Sequence, residues 1–278
     1  MLIQKRQGIP SWAERLPRPL VKTFRNPLVV SAIAGVGLWW LLAGNVIEFL
    51  PTPFEVASAF VGALTNPEFY FDMAVTLRRV LIIAVGTWLF AILLGIGMAS
   101  YWPVETALNP LVFIGLALPA PLSIYFAILI FGLGEMTAII ALFVVVTPYV
   151  AVIIYGGAKA LDKRLFEMAA VYRFSRRQQL MDITLPELAP SLISAARFAF
   201  AMGWKLVVLV ELLSSNVGIG ERLQFFFVFN QPARVIGWTL TFTVIMVFVE
   251  RYVFAALERK LLAWRPKTES GSKIAQVA

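Results

Sequence analysis

Six long apolar stretches, separated by shorter polar segments, constrain the fold of this chain more than any other feature. About 20 apolar residues are enough to cross the hydrocarbon core of a bilayer as a helix, and backbone groups in lipid must be paired within the segment. The sequence therefore predicts an all-α integral membrane protein with six transmembrane helices. The predicted spans are residues 28–47, 80–100, 109–132, 136–157, 188–213 and 235–256.

Composition narrows the possible functions. Only 14% of the 278 residues are charged, whereas soluble proteins have about a quarter. The chain has no cysteine and no histidine, which excludes disulfides, thiol nucleophiles, imidazole bases and nearly all zinc or haem ligation. A membrane enzyme would have almost no acid, base or metal-binding side chains to use. We expect no catalytic residue, no metal site and no cofactor in this chain.

The distribution of basic residues predicts the orientation in the membrane. The formal charge is +8, and lysines and arginines concentrate before the first span, between the fourth and fifth spans, and around the end of the sixth. Basic segments stay on the cytoplasmic side and meet anionic lipid, so membrane lipid rather than nucleic acid is the expected partner of this charge. Both termini are then cytoplasmic, with an arm at 1–26, a transmembrane domain at 27–264 whose first span is an uncleaved anchor, and a tail at 265–278.

Small residues recur every four positions along the second span. Such a stripe lets another helix approach closely. Packing within the subunit is favoured over a seam between two copies, although the pattern allows both. The stripe consists of Thr87, Ala91, Gly95 and Ala99.

Pro119 and Pro121 interrupt the third span. Because a proline removes a backbone donor and clashes with the preceding turn, we expect this span to be kinked or broken. Broken helices often line transport pathways. A kink that is simply accommodated by packing is the alternative.

Residues 161–186 form a charged island between two apolar spans, on the cytoplasmic side. Apolar positions at helical spacing predict a first short helix over 161–172. Ser175, followed three residues later by Gln178, predicts a capping box that opens a second helix. From pattern alone, the island is either a handle for a soluble partner or an ordinary amphipathic connector.

The spacing within this island resembles the EAA loop of permease subunits in binding-protein-dependent ABC importers. That loop reads EAA, three residues, Gly, nine residues, then I-x-LP. Met168 stands at the family's first alanine, and Arg173 at its glycine, where a turn with positive φ costs a non-glycine residue about 1 kcal/mol or more. The matching residues are Glu167, Ala169, Ile183, Leu185 and Pro186.

Further motifs extend the resemblance over roughly residues 30–265, towards the subgroup that imports nitrate, taurine and aliphatic sulfonates. In chain order they are LPTPFEV at 50–56, TLRRV at 76–80, FGLGE at 131–135, the residues Trp204, Lys205 and Glu211, and GIG at 218–220. One short motif of this kind means little, whereas the ordered series is specific.

The resemblance implies the type I ABC importer permease fold, with residues 161–186 as the coupling loop. Its partners would be two ATPase subunits that carry ATP and Mg²⁺, a second permease copy or close relative, and a periplasmic or lipid-anchored solute-binding protein in the bacterial cytoplasmic membrane. No Walker A sequence occurs in this chain, so ATP hydrolysis is expected on another polypeptide. The expected solute is a small anion such as a sulfonate, nitrate or carboxylate. The alternative is a permease-like scaffold or lipid-transfer component that works with an ATPase.

Two charges inside the fifth span, Lys205 and Glu211, are candidates for the translocation pathway, together with Pro119 and Pro121. Charge within a span costs a few kcal/mol. Because they are six residues apart, about 240° around a helix, the two side chains do not share a face. Lys205 is predicted to face the pathway and attract an anion. The alternatives are a structural pairing with Glu211 of another copy and a lysine that reaches the membrane interface.

Overall fold

The computed structural model describes residues 27–43, 49–214 and 216–261, which are helical almost throughout. The predicted arm (1–26) and tail (265–278) lie outside the described residues, so the division of the chain into these parts stays a prediction. In chain order the helices are α1 (Pro27–Leu42), α2 (Pro53–Thr65), α3 (Pro67–Ser100), α4 (Trp102–Ala117), α5 (Ala120–Phe131), α6 (Glu135–Lys159), α7 (Lys163–Val171), α8 (Arg176–Gln178), α9 (Leu185–Ser214), α10 (Ile219–Val228) and α11 (Pro232–Leu261), with a π-helical turn at Gln179–Thr184 between α8 and α9.

Four helical stretches are long and apolar enough to span a membrane: Pro67–Ser100, Glu135–Lys159, Arg176–Ser214 and Pro232–Leu261. A fifth span is obtained if α4 and α5 are counted together. The first predicted span corresponds to α1, which has only 16 residues in the described chain. The prediction of an all-helical membrane protein is therefore confirmed, whereas the count of six spans is not.

The third predicted span is broken, as its two prolines predict. The axes of α4 and α5 meet at 102°. Leu118, which precedes Pro119, is extended (φ −72°, ψ 123°) and ends α4, because a residue before proline is disfavoured in the helical region. Pro119 is itself extended and precedes α5, and Pro121 stands in the first turn of α5, where its missing N–H is not needed.

Helices α2 and α3 both begin at clear capping signals. Thr52 and Glu55 form a reciprocal capping box at the start of α2, and Pro53 follows at the first helical position. The side chain of Asn66 accepts a hydrogen bond from the backbone of Glu68 and opens α3. Since α3 begins at residue 67, it is much longer than the predicted second span at 80–100. Arg78 and Arg79, which precede that predicted span, therefore lie inside the helix.

Helices α3, α6 and α9 pack against one another at the centre of the bundle. Thr87, Ala91 and Gly95 of the small-residue stripe are buried. A Cβ added to Gly95 would lie 2.9 Å from the carbonyl oxygen of Ala151 on α6. The stripe therefore packs within the subunit, which is the favoured interpretation.

The charged island occupies one end of this bundle. It follows the end of α6 at Lys159 and precedes the start of α9 at Leu185. The far end of α9, at Ser214, leads into α10 at the opposite end, where α3 and α11 begin. The two ends carry the two sets of polar residues considered next.

Candidate functional site

Helix α7 presents nearly all of its side chains to the outside. Asp162 begins it, with a side-chain oxygen that accepts a hydrogen bond from the N–H of Arg164 at 2.9 Å. Ala169 alone in this helix is buried, while Glu167 and Met168 are exposed. The small alanine anchors the helix, and the neighbouring positions remain free for contact with another molecule.

Arg173 makes the turn that follows α7. Its φ is +54°, in the left-handed region that costs an ordinary residue about 1–2 kcal/mol. The N–H of Phe174 donates to the carbonyl of Ala169 at 2.9 Å, and the N–H of Arg173 donates to Ala170 at 3.1 Å. This is the hydrogen-bond pattern of a Schellman motif. The turn is thus made with positive φ, as glycine would make it, despite the arginine.

The second half of the island is a capped helix that runs directly into α9. Ser175 and Gln178 form the predicted capping box, with the N–H of Gln178 donating to Ser175 Oγ at 3.3 Å and the N–H of Ser175 donating to Gln178 Oε1 at 2.8 Å. The π-helical turn follows, with Ile183 buried. Because Pro186 has no N–H to donate to the carbonyl of Asp182, regular α-helical bonding cannot continue there. The widened turn ends at Thr184, two residues before this proline.

The seven predicted coupling residues therefore lie in one continuous loop at one end of the bundle. Ala169 and Ile183 are its buried anchors. Pro186 is partly buried, and the remaining four are exposed: Glu167, Met168, Arg173 and Leu185. Their contact with an ATPase stays a prediction.

At the opposite end, Glu211 is the centre of a buried polar network. Its side chain is 0% exposed. It forms an ion pair with Arg79 (Nη1 to Oε1 2.6 Å), and Thr76 Oγ1 donates to the same carboxylate at 2.8 Å from Oε2. The N–H of Gly220 donates to Oε2 at 3.0 Å. Burial of a carboxylate is tolerated because each neighbour supplies a donor or a positive charge.

The same donors hold the turn between α9 and α10. Thr76 Oγ1 accepts a hydrogen bond from the N–H of Ile219 at 2.9 Å, and Arg79 Nη1 donates to the carbonyl of Val217 at 2.7 Å. Gly218 has a φ of +128°, and a Cβ on it would lie 2.6 Å from the Glu211 carboxyl group. The GIG motif consequently requires glycine both for its backbone conformation and for the close approach of Glu211.

Glu135, the last residue of the FGLGE motif, extends the network to α6. It accepts a hydrogen bond from Arg78 and lies 4.0 Å from Arg79 Nε. The TLRRV, FGLGE and GIG motifs and Glu211 thus meet at one end of the bundle. The sequence did not predict that these motifs lie together, although each motif contributes either a charged residue or a turn glycine.

Among the described residues, no hydrogen bond or ion pair joins Lys205, Glu211 and the pair Pro119 and Pro121 to one another. Lys205 is exposed on α9, with its Nζ 5.5 Å from the Trp204 ring centroid. Glu211 is buried, so the expectation that the two do not share a face is confirmed. Pro119 and Pro121 lie exposed at the break between α4 and α5. The pathway role of all four stays a prediction.

In the ranges described above, no group of three or more acidic side chains is arranged to hold a metal ion.

The chain matches known proteins along most of its length. Residues 89–261 match the family model described as "Binding-protein-dependent transport system inner membrane component". A putative aliphatic sulfonates transport permease protein, SsuC of Bacillus subtilis (strain 168), is 26% identical over 240 residues, which are 84% of this chain and 86% of that protein. The taurine transport system permease protein TauC of Escherichia coli (strain K12) is 26% identical over 243 residues, 84% of this chain and 87% of the relative.

Solved structures share the fold. An inward-facing structure of the MetNI methionine ABC transporter superposes with a TM-score of 0.59 at 17% sequence identity, covering 71% of this chain and 99% of the matched chain. Because the sequence identity is so low, this similarity shows only that the two chains share a fold. Taken with the family match over more than half of the sequence, it leads to one conclusion: the chain belongs to the family of binding-protein-dependent transport system inner membrane components.

Proposed function

We propose that this chain is the transmembrane permease subunit of an ATP-driven importer and that residues 161–186 couple it to a separate ATPase. One observation carries the proposal: α7 displays Glu167 and Met168 outward while Ala169 alone holds the helix down. A short helix fixed at both ends, with the apolar side chains of Met168 and Val171 exposed beside Glu167, suits docking into a groove on another protein. ATP and Mg²⁺ would be bound by that partner, since this chain has no Walker A loop.

The proposed topology has six spans in the bacterial cytoplasmic membrane, with both termini and the coupling loop in the cytoplasm. Four long helices and the bent pair α4–α5 account for five of these spans. The sixth would be the predicted first span at 28–47, of which α1 is the described helix. The concentration of lysine and arginine near the coupling loop and beyond the C-terminal end of α11 supports this orientation.

The proposed solute is a small anion, and the sulfonate class is favoured because one relative is named for aliphatic sulfonates and another for taurine, which carries a sulfonate group beside its ammonium group. A periplasmic or lipid-anchored solute-binding protein would deliver it. Two copies of this chain would form the channel, with one ATPase subunit docked on each coupling loop. The exposed apolar side chains of α4 and α5, such as Phe113 and Leu129, are available for contact with a second copy or with lipid.

Reversing the charge at Glu167 tests the coupling proposal. Affinity purification of the wild-type chain from its native membrane in mild detergent is expected to recover an ATPase with a Walker motif, identified by mass spectrometry. Glu167→Arg is expected to reduce that recovery at least about tenfold, because a like-charge contact in an interface costs several kcal/mol.

Glu258→Arg is the matched control, since Glu258 is also exposed but lies near the end of α11. It should leave the ATPase recovery unchanged. If the wild-type chain elutes without an ATPase in every nucleotide state, the importer proposal fails. If ATPase recovery survives Glu167→Arg, an importer remains possible but the coupling role of Glu167 does not.

We further propose that Lys205 lies on the translocation pathway, that the break at Pro119 and Pro121 also lines this pathway, and that Glu211 fixes the end of α9 through its buried ion pair with Arg79. Lys205 is exposed and pairs with no carboxylate in the part of the chain that the structure describes. An unpaired ammonium on a spanning helix is available to an anionic solute. Within the described ranges, the aromatic ring that its ammonium group contacts is that of Trp204.

Lys205→Met is expected to lower the apparent affinity of transport for an anionic solute about tenfold or more, because one charge-assisted contact is lost. Uptake by proteoliposomes that contain the assembled importer measures it. Lys260→Met, at the end of α11, is the control and should transport like the wild type. Unchanged affinity and rate in the Lys205 variant would remove this residue from the pathway.

A further inference from the structure

A cavity of about 640 Å³ lies at the end of the bundle opposite the coupling loop, between α2, α10 and α11. Its volume falls within the usual range of small-molecule sites. Two buried aromatic residues, Phe226 and Trp238, contribute to its lining and pack edge to face with their centroids 5.1 Å apart. Its charged lining residues are Glu55, Glu68, Arg222 and Arg234. The cavity is thus aromatic on one side and carries charges of both signs.

Arg222 is a fixed cation in this lining. Its Nε donates to Asp72 Oδ2 at 3.0 Å, and its Nη1 lies 3.6 Å from Glu68 Oε2. Burial works against its charged form, but the hydrogen bond to Asp72 and the attraction of the nearby carboxylates outweigh that cost and raise the pKa of Arg222. Asp72 is itself buried. The guanidinium group is therefore held in position and permanently charged.

Arg234 supplies a second cation, which no carboxylate of the described residues neutralises. It is exposed at the start of α11, its guanidinium carbon lies 5.7 Å from the Phe226 ring centroid, and no carboxylate of the described residues lies within ion-pair distance. An arginine stacked on an aromatic face presents its N–H groups at the ring edge to an incoming acceptor. This side of the cavity is suited to an acidic group.

Glu55 supplies the opposite charge from α2. One carboxylate oxygen, Oε2, accepts the N–H of Thr52 at 2.8 Å, and among the described residues no donor bonds to the other. A second cavity of about 490 Å³ shares Glu55, Ala233 and Arg234 with the first and is also lined by Gln231. The side-chain oxygen of Gln231 is buried and accepts no hydrogen bond from the described residues. Two acceptors are therefore available next to an unpaired cation.

We infer that this cavity binds a small zwitterion, with an ammonium group near Glu55 and an acidic group at Arg234 and Arg222. An ion with only a negative charge would be repelled by the carboxylates of Glu55 and Glu68. An ion with only a positive charge would be repelled by the two arginines. A molecule with both charges can pair its ammonium group with Glu55 and its acidic group with the arginines. The inference goes beyond the proposed function, because neither the coupling loop nor the pathway uses this cavity.

Two sources supply this chemistry: a free amino acid or amino sulfonate, and the headgroup of phosphatidylethanolamine. Binding to the purified full chain, freed of lipid in detergent, is measured for each. Calorimetry compares taurine with isethionate, which has a hydroxyl in place of the ammonium. Native mass spectrometry compares retention of phosphatidylethanolamine with that of phosphatidylglycerol, which lacks the ammonium.

The variants are Glu55→Gln and Arg234→Gln. Glutamine preserves the capping interaction at the start of α2, and Arg234 is exposed, so both variants should fold. Their matched controls are Glu258→Gln and Arg251→Gln, exposed residues towards the other end of α11. We expect at least one of the two zwitterions to bind, each test variant to weaken it about tenfold or more, and both controls to bind as the wild type does.

The two compounds that lack the ammonium group, isethionate and phosphatidylglycerol, test whether binding requires the positive charge. Isethionate or phosphatidylglycerol is expected to bind at least about tenfold more weakly than its zwitterionic counterpart. Binding of taurine alone identifies a free solute as the ligand, and retention of phosphatidylethanolamine alone identifies lipid. Absence of both, equal binding to the test variants, or equal binding of the plain anions overturns the inference, whether or not an ATPase co-purifies.

Discussion

Replacing Glu211 with alanine is expected to lower the free energy of unfolding by about 3–5 kcal/mol. The change leaves the Arg79 guanidinium buried without its carboxylate, at a position where Arg79 is 5% exposed. It also removes the acceptor of the Gly220 N–H and of the Thr76 hydroxyl. A buried charge without a partner is among the most costly changes available to a protein.

The free energy of unfolding is measured by titrating the detergent-solubilised protein with a denaturing detergent, while tryptophan fluorescence monitors unfolding. Glu187→Ala is the control, because Glu187 is exposed near the start of α9, and it should change stability by less than about 0.5 kcal/mol. A loss of similar size in both variants would mean that the buried network contributes little.

A double variant separates the ion pair from the rest of the network. Arg79→Met combined with Glu211→Leu removes both charges, so it should cost about 2 kcal/mol less than the sum of the two single variants, within the range known for contacting residues. The double variant should still be less stable than the wild type, because the N–H of Gly220 lacks its acceptor. Strict additivity would contradict the 2.6 Å contact between Arg79 and Glu211.

Gly220→Ala is expected to destabilise the protein by about 1–3 kcal/mol or more, as overpacking does in well-packed interiors. The added Cβ would lie 2.3 Å from the carbonyl oxygen of Val208 and 2.9 Å from the backbone nitrogen of Leu212. Both atoms belong to the backbone of α9, which cannot yield without moving the helix. The same denaturation measurement applies.

Gly97→Ala provides a control with the opposite expected sign. A Cβ at Gly97 would meet only a side-chain atom of Val104 at 3.8 Å, an ordinary contact. Alanine there should stabilise α3 by up to about 1 kcal/mol, because it reduces the freedom of the unfolded chain. If both alanine variants stabilise, the close approach of α10 to α9 is not tight in the folded protein.

The sequence predicted the long helices because length and apolarity are local properties. It also predicted the break at Pro119 and the capping box at Ser175, since each depends on residues a few positions apart. Helix α2 was missed, although Thr52, Pro53 and Glu55 have the spacing of a capping box with proline at the first helical position. That signal was available in the sequence and was interpreted only as part of a family motif.

The buried network could not be predicted from one sequence in the same way. Thr76 and Glu211 are 135 positions apart, and nothing in either neighbourhood specifies the other. Their meeting depends on how α3 and α9 pack, which is set by many apolar contacts at once. Arg79 lies outside the predicted span at 80–100 because the apolar stretch begins after it, whereas the helix itself begins at Pro67.

The stretch Arg176–Ser214 is one run of 39 helical residues. At 1.5 Å per residue it is about 58 Å long, longer than the roughly 40–45 Å of a bilayer with its headgroups. One end of it is the exposed loop, and Glu211 clamps the other to α3 and α10. If the stretch tilts as one body about its middle, despite the π-helical turn and Pro190 within it, a tilt of about 10° displaces each end by roughly 5 Å. Under the proposed topology, a push on the coupling loop would therefore reach the far end of α9 without any relay of side chains in between.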